Sequence, residues 1–487
     1  FVAWDRSSGT ASANGSPSTA NPGAGGGTTA FSSQAASASL AVSSVNDAPT
    51  ITDGAIVTLA ATSEDAASAP STVDDLLSSV AWADLDTGAL KGIAVTATTG
   101  SGEWQYSGDG LTWTAFGSLS ASTALLLDAA TQLRYMPAGD NAETAGFSFV
   151  AWDQTSGAAS TDGSPSTADP GTGGGTSAFS SEAAAVSLSV TAVNDAPVLD
   201  ATGAPALTTI TEDDTTNPGD TVAAILASAG GDRLTDVDSG ALEGIAVTGL
   251  VSGNGTWQYS IDGGSTWQAV GAVSDASALL LRDTDRLRFV PDGLNADAAS
   301  LGFRAWDQTG ATAGQQGSKV DTSTNGGTSA FSAASETAAI TIYAVNDAPT
   351  ITHGATVTLA ATDEDTSSSP TTVDSLLAAV AWADVDSGAL SGIALVASSG
   401  NGTWQYSTDG LAWADVGAVA ASNALLLAAG TQLRYVPDGI GGETATLGFV
   451  AWDQSTGSAS TNVAPSHVDA SAGGGTTAFS SQVASAS

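Results

Sequence analysis

Apolar and polar residues alternate over short stretches of this chain and seldom recur at helical spacing. Val186-Ser-Leu-Ser-Val190 is one such stretch, and the period of two predicts a half-buried strand. Further strands are predicted at Ile51 to Ala60, Ile351 to Ala360, Gly92 to Thr96 and Leu287 to Pro291. Helical spacing occurs in Val73-Asp-Asp-Leu-Leu-Ser-Ser-Val80, where apolar residues fall at i, i+3, i+4 and i+7 and Thr72 is placed to cap the first turn. The stretch Trp257 to Trp267 predicts a hairpin whose turn is Ser260-Ile-Asp262-Gly-Gly-Ser-Thr266-Trp267, the pattern known as an Asp-box. Its aspartate is placed to accept hydrogen bonds from turn amides, and the tryptophans are expected to cover the core face of the hairpin. Ser107 to Trp113 and Ser407 to Trp413 are shorter versions, and the runs Leu125 to Leu127, Leu279 to Leu281 and Leu425 to Leu427 follow them.

These patterns recur with a period of about 150 residues. The clearest marker is Val-Asn-Asp-Ala-Pro, at Val45 to Pro49, Val193 to Pro197 and Val345 to Pro349. Each copy closes one strand and opens the next, and Ala-Pro holds the crossing extended. The organisation expected is the closing part of a repeat at 1–49, then repeats at 50–197, 198–349 and 350–487, the last lacking its final strand. Phe1 to Asp5 repeats Phe149 to Asp153 and Phe449 to Asp453, so the chain reads as a piece of a longer array. Short strands between Gly, Asp and Ser turns give the fold class all-β: tandem antiparallel β-sandwich repeats with long Gly-rich loops such as Thr155 to Ser181.

Charge narrows the partners. Fifty acidic residues stand against ten basic ones, a formal net charge of −40. Nucleic acid and anionic membrane both need clustered Lys and Arg, so neither is expected, and no run of about 20 apolar residues predicts membrane insertion. Cations are the expected partners. Cysteine is absent and there are two histidines, so a recurring metal site must be built from oxygen. Calcium fits, taking six to eight carboxylate and carbonyl oxygens. The candidate ligands are Asp84 and Asp86, Asp236 and Asp238, and Asp384 and Asp386, each pair in an Asp-x-Asp-x-Gly stretch whose glycine supplies the turn. The same residues also read as a solvated turn. The spacing is not that of an EF-hand.

Ala-Trp-Asp, a Gly-rich loop, an alternating strand and Val-Asn-Asp-Ala-Pro together resemble the closing half of a cadherin repeat, in particular the bacterial cadherin-like and VCBS-type repeats of large secreted adhesins and surface proteins. The resemblance implies calcium between successive domains. It would bring Asp47 to Asp84, Asp86 and Asp153, Asp195 to Asp236, Asp238 and Asp307, and Asp347 to Asp384, Asp386 and Asp453. Glu64, Glu212 and Glu364, from the acidic pairs that open each unit, resemble the glutamate that reaches the following joint. The joint departs from the family in having Ser44, Ala192 and Ala344 where an acid is usual, so one or two ions per joint are expected rather than three.

No enzyme is expected. A sialidase needs an arginine cluster and blades every 40–50 residues, and three copies of one carboxylate site do not suit a glycosidase. Arg134, Arg288 and Arg434 are expected to pair with acids or stack on aromatic rings, and Trp82, Trp104 and Trp113 to lie in the core. The function expected is an extracellular structural repeat protein on the bacterial cell surface. It would form a rod or filament whose joints calcium stiffens, with neighbouring repeats of the same chain and self-assembly or surface attachment as its interactions. The alternatives are the stalk of a calcium-dependent adhesin and a carbohydrate-binding array.

Overall fold

In the computed structural model, which describes residues 1–487, the chain is nearly all β, with three seven-residue α-helices and one short 3-10 turn. It divides into two compact units, Phe1–Ala192 and Val193–Ser487.

The second unit contains two copies of one architecture. In the first copy a six-stranded sheet runs in the order Ile210–Thr211, Glu336–Tyr343, Asp297–Ala305, Gly244–Val251, Ala278–Arg282, Lys319–Val320. The opening strand pairs parallel with the closing one, and the other neighbours are antiparallel. Facing it is a four-stranded antiparallel sheet ordered Asp220–Thr221, Arg286–Val290, Thr256–Ser260, Gln268–Ala269. The second copy repeats both sheets around Gly392–Ser399 and Thr403–Ser407. The first unit carries one such pair of sheets, around Gly92–Thr99 and Glu103–Ser107, and a two-stranded ladder of Val2–Trp4 with Phe31–Ala35.

The main core fills the space between the sheets. Val247, Leu281, Leu301 and Phe303 from the larger sheet meet Trp257, Leu287 and Phe289 from the smaller one. Val222, Ile225 and Leu226 of the helix Val222–Ser228 close one end. That helix starts where a threonine cap predicts: Thr221 Oγ1 accepts from Ala224 N at 3.1 Å. In the first unit Thr72 and Asp75 form a complete capping box.

The leucine run breaks the alternation because its strand is covered on both faces. Leu279 and Leu281 point into the main core, whereas Leu280 enters a second, smaller core with Ala246, Trp306 and Phe331. The Gly-rich loop is the lid of that smaller core. The same arrangement surrounds Trp152 and Trp452. A loop that looks solvated in sequence therefore buries a tryptophan, since each fully buried large side chain contributes about 1.5–3 kcal/mol.

Two expectations need correction. The strand over Ile51 to Ala60 is interrupted: Gly54 has φ +68° in a turn, and the regular ladder is confined to Ile56–Thr58 and Thr62–Ser63. In the third copy it shrinks to Thr356–Val357. The tryptophans also divide. Trp104, Trp257 and Trp404 are core, but Trp113, Trp267 and Trp413 are half-buried on the other side of the hairpin. There the guanidinium of Arg134, Arg288 or Arg434 lies 4.1, 4.1 or 4.0 Å from the ring centroid, a cation–π stack held by Gln105, Gln258 or Gln405.

Candidate metal centre

The joint Val345-Asn346-Asp347-Ala348-Pro349 lies within the second unit, between its two copies. Glu212 reaches it because the strand Ile210–Thr211 runs parallel to the closing strand, and Glu212 N donates to Tyr343 O at 3.0 Å. The side chain is 0% exposed. Its Oε1 accepts from Val345 N at 2.8 Å, whereas Oε2 is buried without a hydrogen-bond partner. An unpaired buried carboxylate oxygen is costly, so this atom points to something it would bind.

What surrounds this carboxyl is acidic. One oxygen each from Glu212, Asp347 and Asp386 lie within 4.8 Å of one another. Asp347 N donates to Asp386 Oδ2 at 2.8 Å, and Asp386 N donates to Asp384 Oδ1 at 2.9 Å, so Asp-x-Asp and the joint are folded onto each other. Asp347 Oδ2 and Asp384 Oδ2 are also buried without a partner. Burial first, and then the negative charges of Asp347, Asp386 and Asp213, push the Glu212 carboxyl above the usual range. Burial followed by Asp386, Asp213 and Asp384 does the same to Asp347. Asp384 is raised by burial and then by Asp386 and Asp453, against the hydrogen bond from Asp386 N. Three carboxylates thus converge, a fourth, Asp384, is tied to the backbone of Asp386, and three oxygens among the four are orphaned, a donor set that suits a hard divalent cation such as calcium.

Asp453, which the resemblance implies as a ligand, is held by hydrogen bonds at both oxygens. It is 4% exposed and both its oxygens are satisfied: Oδ1 accepts from Ser455 N at 2.7 Å, and Oδ2 from Asn346 Nδ2 at 2.9 Å. The same Nδ2 lies 3.2 Å from both Asp347 O and Thr477 O, which fixes the amide with its nitrogen towards Asp453. Asp453 latches the joint asparagine. Asp153 and Asp307 do likewise, accepting from Asn46 and Asn194 at 2.9 Å. Nothing in the sequence marks these aspartates as acceptors from the joint asparagine.

The other candidates fall into the same pattern. Asp47 N donates to Asp86 Oδ2 and Asp86 N to Asp84 Oδ1 in the first unit, and Asp195, Asp238 and Asp236 are linked identically in the second. Asp236 is raised by burial and then by Asp238, Asp307 and Asp195. Glu64 is buried, with its N donating to Thr191 O at 3.0 Å, the backbone place that Glu212 has beside Tyr343. Glu364 is exposed, in the wall of a cavity of about 350 Å3 with Trp404, Tyr435 and Glu443, and joins none of the carboxylate groups described above.

No protein-family model matches the chain, and no curated protein matches it. Among solved structures, one similar chain is the zebrafish RET cadherin-like domains 1 to 4, at 12% identity and a TM-score of 0.19, covering 80% of this chain and 65% of that one. Another is the N-terminal four Ig domains of Dscam1 isoform 9.44 with zinc, at 10% identity and a TM-score of 0.14, covering 88% and 72%.

Proposed function

We propose that the chain is a structural repeat protein of the cell exterior, without catalytic activity of its own. Each copy of about 150 residues, bounded as at 50–197, 198–349 and 350–487, would act as one domain of a spacer or filament. Calcium would lock successive domains together. The observation that carries this reading is the buried Glu212 carboxyl, with Oε2 unpartnered, grouped with Asp347 and Asp386. Glu212 comes from one copy, Asp347 from the joint, and Asp384 and Asp386 from the next copy, so a shared cation would tie three segments into one angle. Without it the same carboxylates repel, and the joint loosens. Extracellular fluid suits such a site, because calcium modules outside cells work at millimolar affinity. Attachment to a bacterial surface or self-assembly would then use the array as a stiff support.

Calorimetric titration of the full chain with calcium, together with thermal unfolding, tests the reading. Uptake of calcium and a raised melting temperature are expected; at a hundred times Kd the gain is about 2.7 kcal/mol for each site. Glu212→Gln keeps the shape, removes one charge, and is expected to cost one site. No calcium uptake by the unaltered chain overturns the proposal.

A further inference from the structure

Asn295 lies in the loop between Arg286–Val290 and Asp297–Ala305 of the second unit's first copy, and it has no part in the carboxylate cluster. Its amide reaches into the next copy. Nδ2 donates to Val385 O at 3.2 Å, and Oδ1 accepts from Ser387 N at 3.2 Å. These two backbone groups flank Asp386, so one side chain grips the loop that carries both Asp384 and Asp386. The grip uses a donor and an acceptor on the same planar group, which neither a carboxylate nor an ammonium supplies. Beside it is a crevice of about 570 Å3 lined from both copies, by Asn295, Ala296 and Val345 on one side and by Asp386, Leu390 and Asp453 on the other. A two-point hydrogen bond beside this crevice fixes both position and orientation.

We infer that Asn295 is a positioning residue, an amide clasp that docks one repeat on the next without an ion and holds the Asp-x-Asp loop where Glu212 can share a cation with it. The clasp itself stands on geometry alone, whereas its effect on the cation rests on the reading given under Proposed function. The sequence makes the device repeat-specific. Asn141-Ala stands four residues after Pro137 as Asn295-Ala does after Pro291, but Gly441-Gly442 takes that place after Pro437.

Because the chain lacks cysteine, spin labels can be placed uniquely at Thr256→Cys and Thr403→Cys, exposed positions in the two copies. Pulsed dipolar spectroscopy then gives the distance distribution between the copies, in chelator and in calcium, for the otherwise unaltered chain and for Asn295→Ala, Asn295→Asp and Asn295→Gly. In chelator the unaltered chain is expected to give a distribution broader than in calcium but narrower than that of all three variants, with circular-dichroism melting of the folded copies unchanged. Calcium is expected to narrow the variants again, but with affinity weakened about tenfold, because the ion must then order the loop itself. Equal widths for the unaltered chain and Asn295→Ala in chelator overturn the clasp. Failure of the unaltered chain to take up calcium overturns the metal reading and leaves the chelator comparison standing.

Discussion

A carboxylate buried beside other carboxylates can lower its energy by taking up a proton or by taking up a cation. Glu212, Asp347 and Asp384 face that choice, and each is pushed above its ordinary value, 4.5 for Glu and 3.8 for Asp. The sign of the pH dependence follows. A raised carboxyl in the folded state binds its proton more tightly than in the unfolded one, so its contribution is full below the ordinary value and is lost as pH rises through the raised one. In chelator, stability is therefore expected to climb as pH is lowered from 7 towards 4.5, and Glu212→Gln is expected to flatten that slope. Thermal melts in EDTA at stepped pH check it; parallel slopes for the two chains would remove Glu212 as the cause. Asp262 works in the opposite sense and in another window. Hydrogen bonds from Thr266 N, Thr266 Oγ1 and Ser260 hold it at about 2, so its contribution is present above 3.8 and fades only as pH falls through about 2. At this scale the sequence was partly legible. Acid-rich joints and Asp-x-Asp turns stand out, but which aspartate accepts from the joint asparagine depends on where Asn346 points its amide, and that is set by tertiary neighbours.

Whole elements follow from pattern where one face is buried and escape it where both are. The Asp-box hairpin forms as its residues dictate, with Ser260 Oγ donating to Asp262 and accepting from Gly264 N. The leucine strand shows the limit. A period-two reading has no place for Leu280, whose burial requires a lid supplied by a loop some 30–50 residues further on. That lid presses Trp306 onto the start of the Gly244–Val251 strand, and a Cβ added at Gly244 would lie 2.8 Å from both Trp306 Cε3 and Leu281 O. Gly92 and Gly392 are crowded in the same way by Trp152 and Trp452. Gly244→Ala is therefore expected to destabilise its copy by about 1–3 kcal/mol, the usual cost of overpacking. Urea unfolding with an unchanged m-value measures it, and a shift within 0.5 kcal/mol would show that the tryptophan yields easily. The opening strand is broken by Asp53-Gly54, a turn dipeptide that takes the chain out of the ladder despite the strand-forming residues on either side.

For the molecule as a whole, the period is plain from the recurring joints, whereas a contact of one copy with the next such as that of the Asn295 amide with Val385 O and Ser387 N is not. The net charge of −40 acts over longer distances than either. In chelator the chain is expected to expand as salt is lowered from 0.5 M to 0.02 M, where the screening length grows from a few ångströms to about 20 Å. In calcium the same change is expected to have little effect. Small-angle scattering across that range separates the outcomes, and equal salt dependence with and without calcium would mean that the ion does not hold the joints. One further property follows from a pair of neighbours in the chain. Trp452 anchors the lidded core and Asp453 latches Asn346, one peptide bond apart. A protease that nicks the exposed glycine loop over Trp452 would thus do more than trim a surface: by freeing the tryptophan it would slacken the adjoining latch, so wear on the loops would be felt as lost stiffness between repeats well before any repeat came apart.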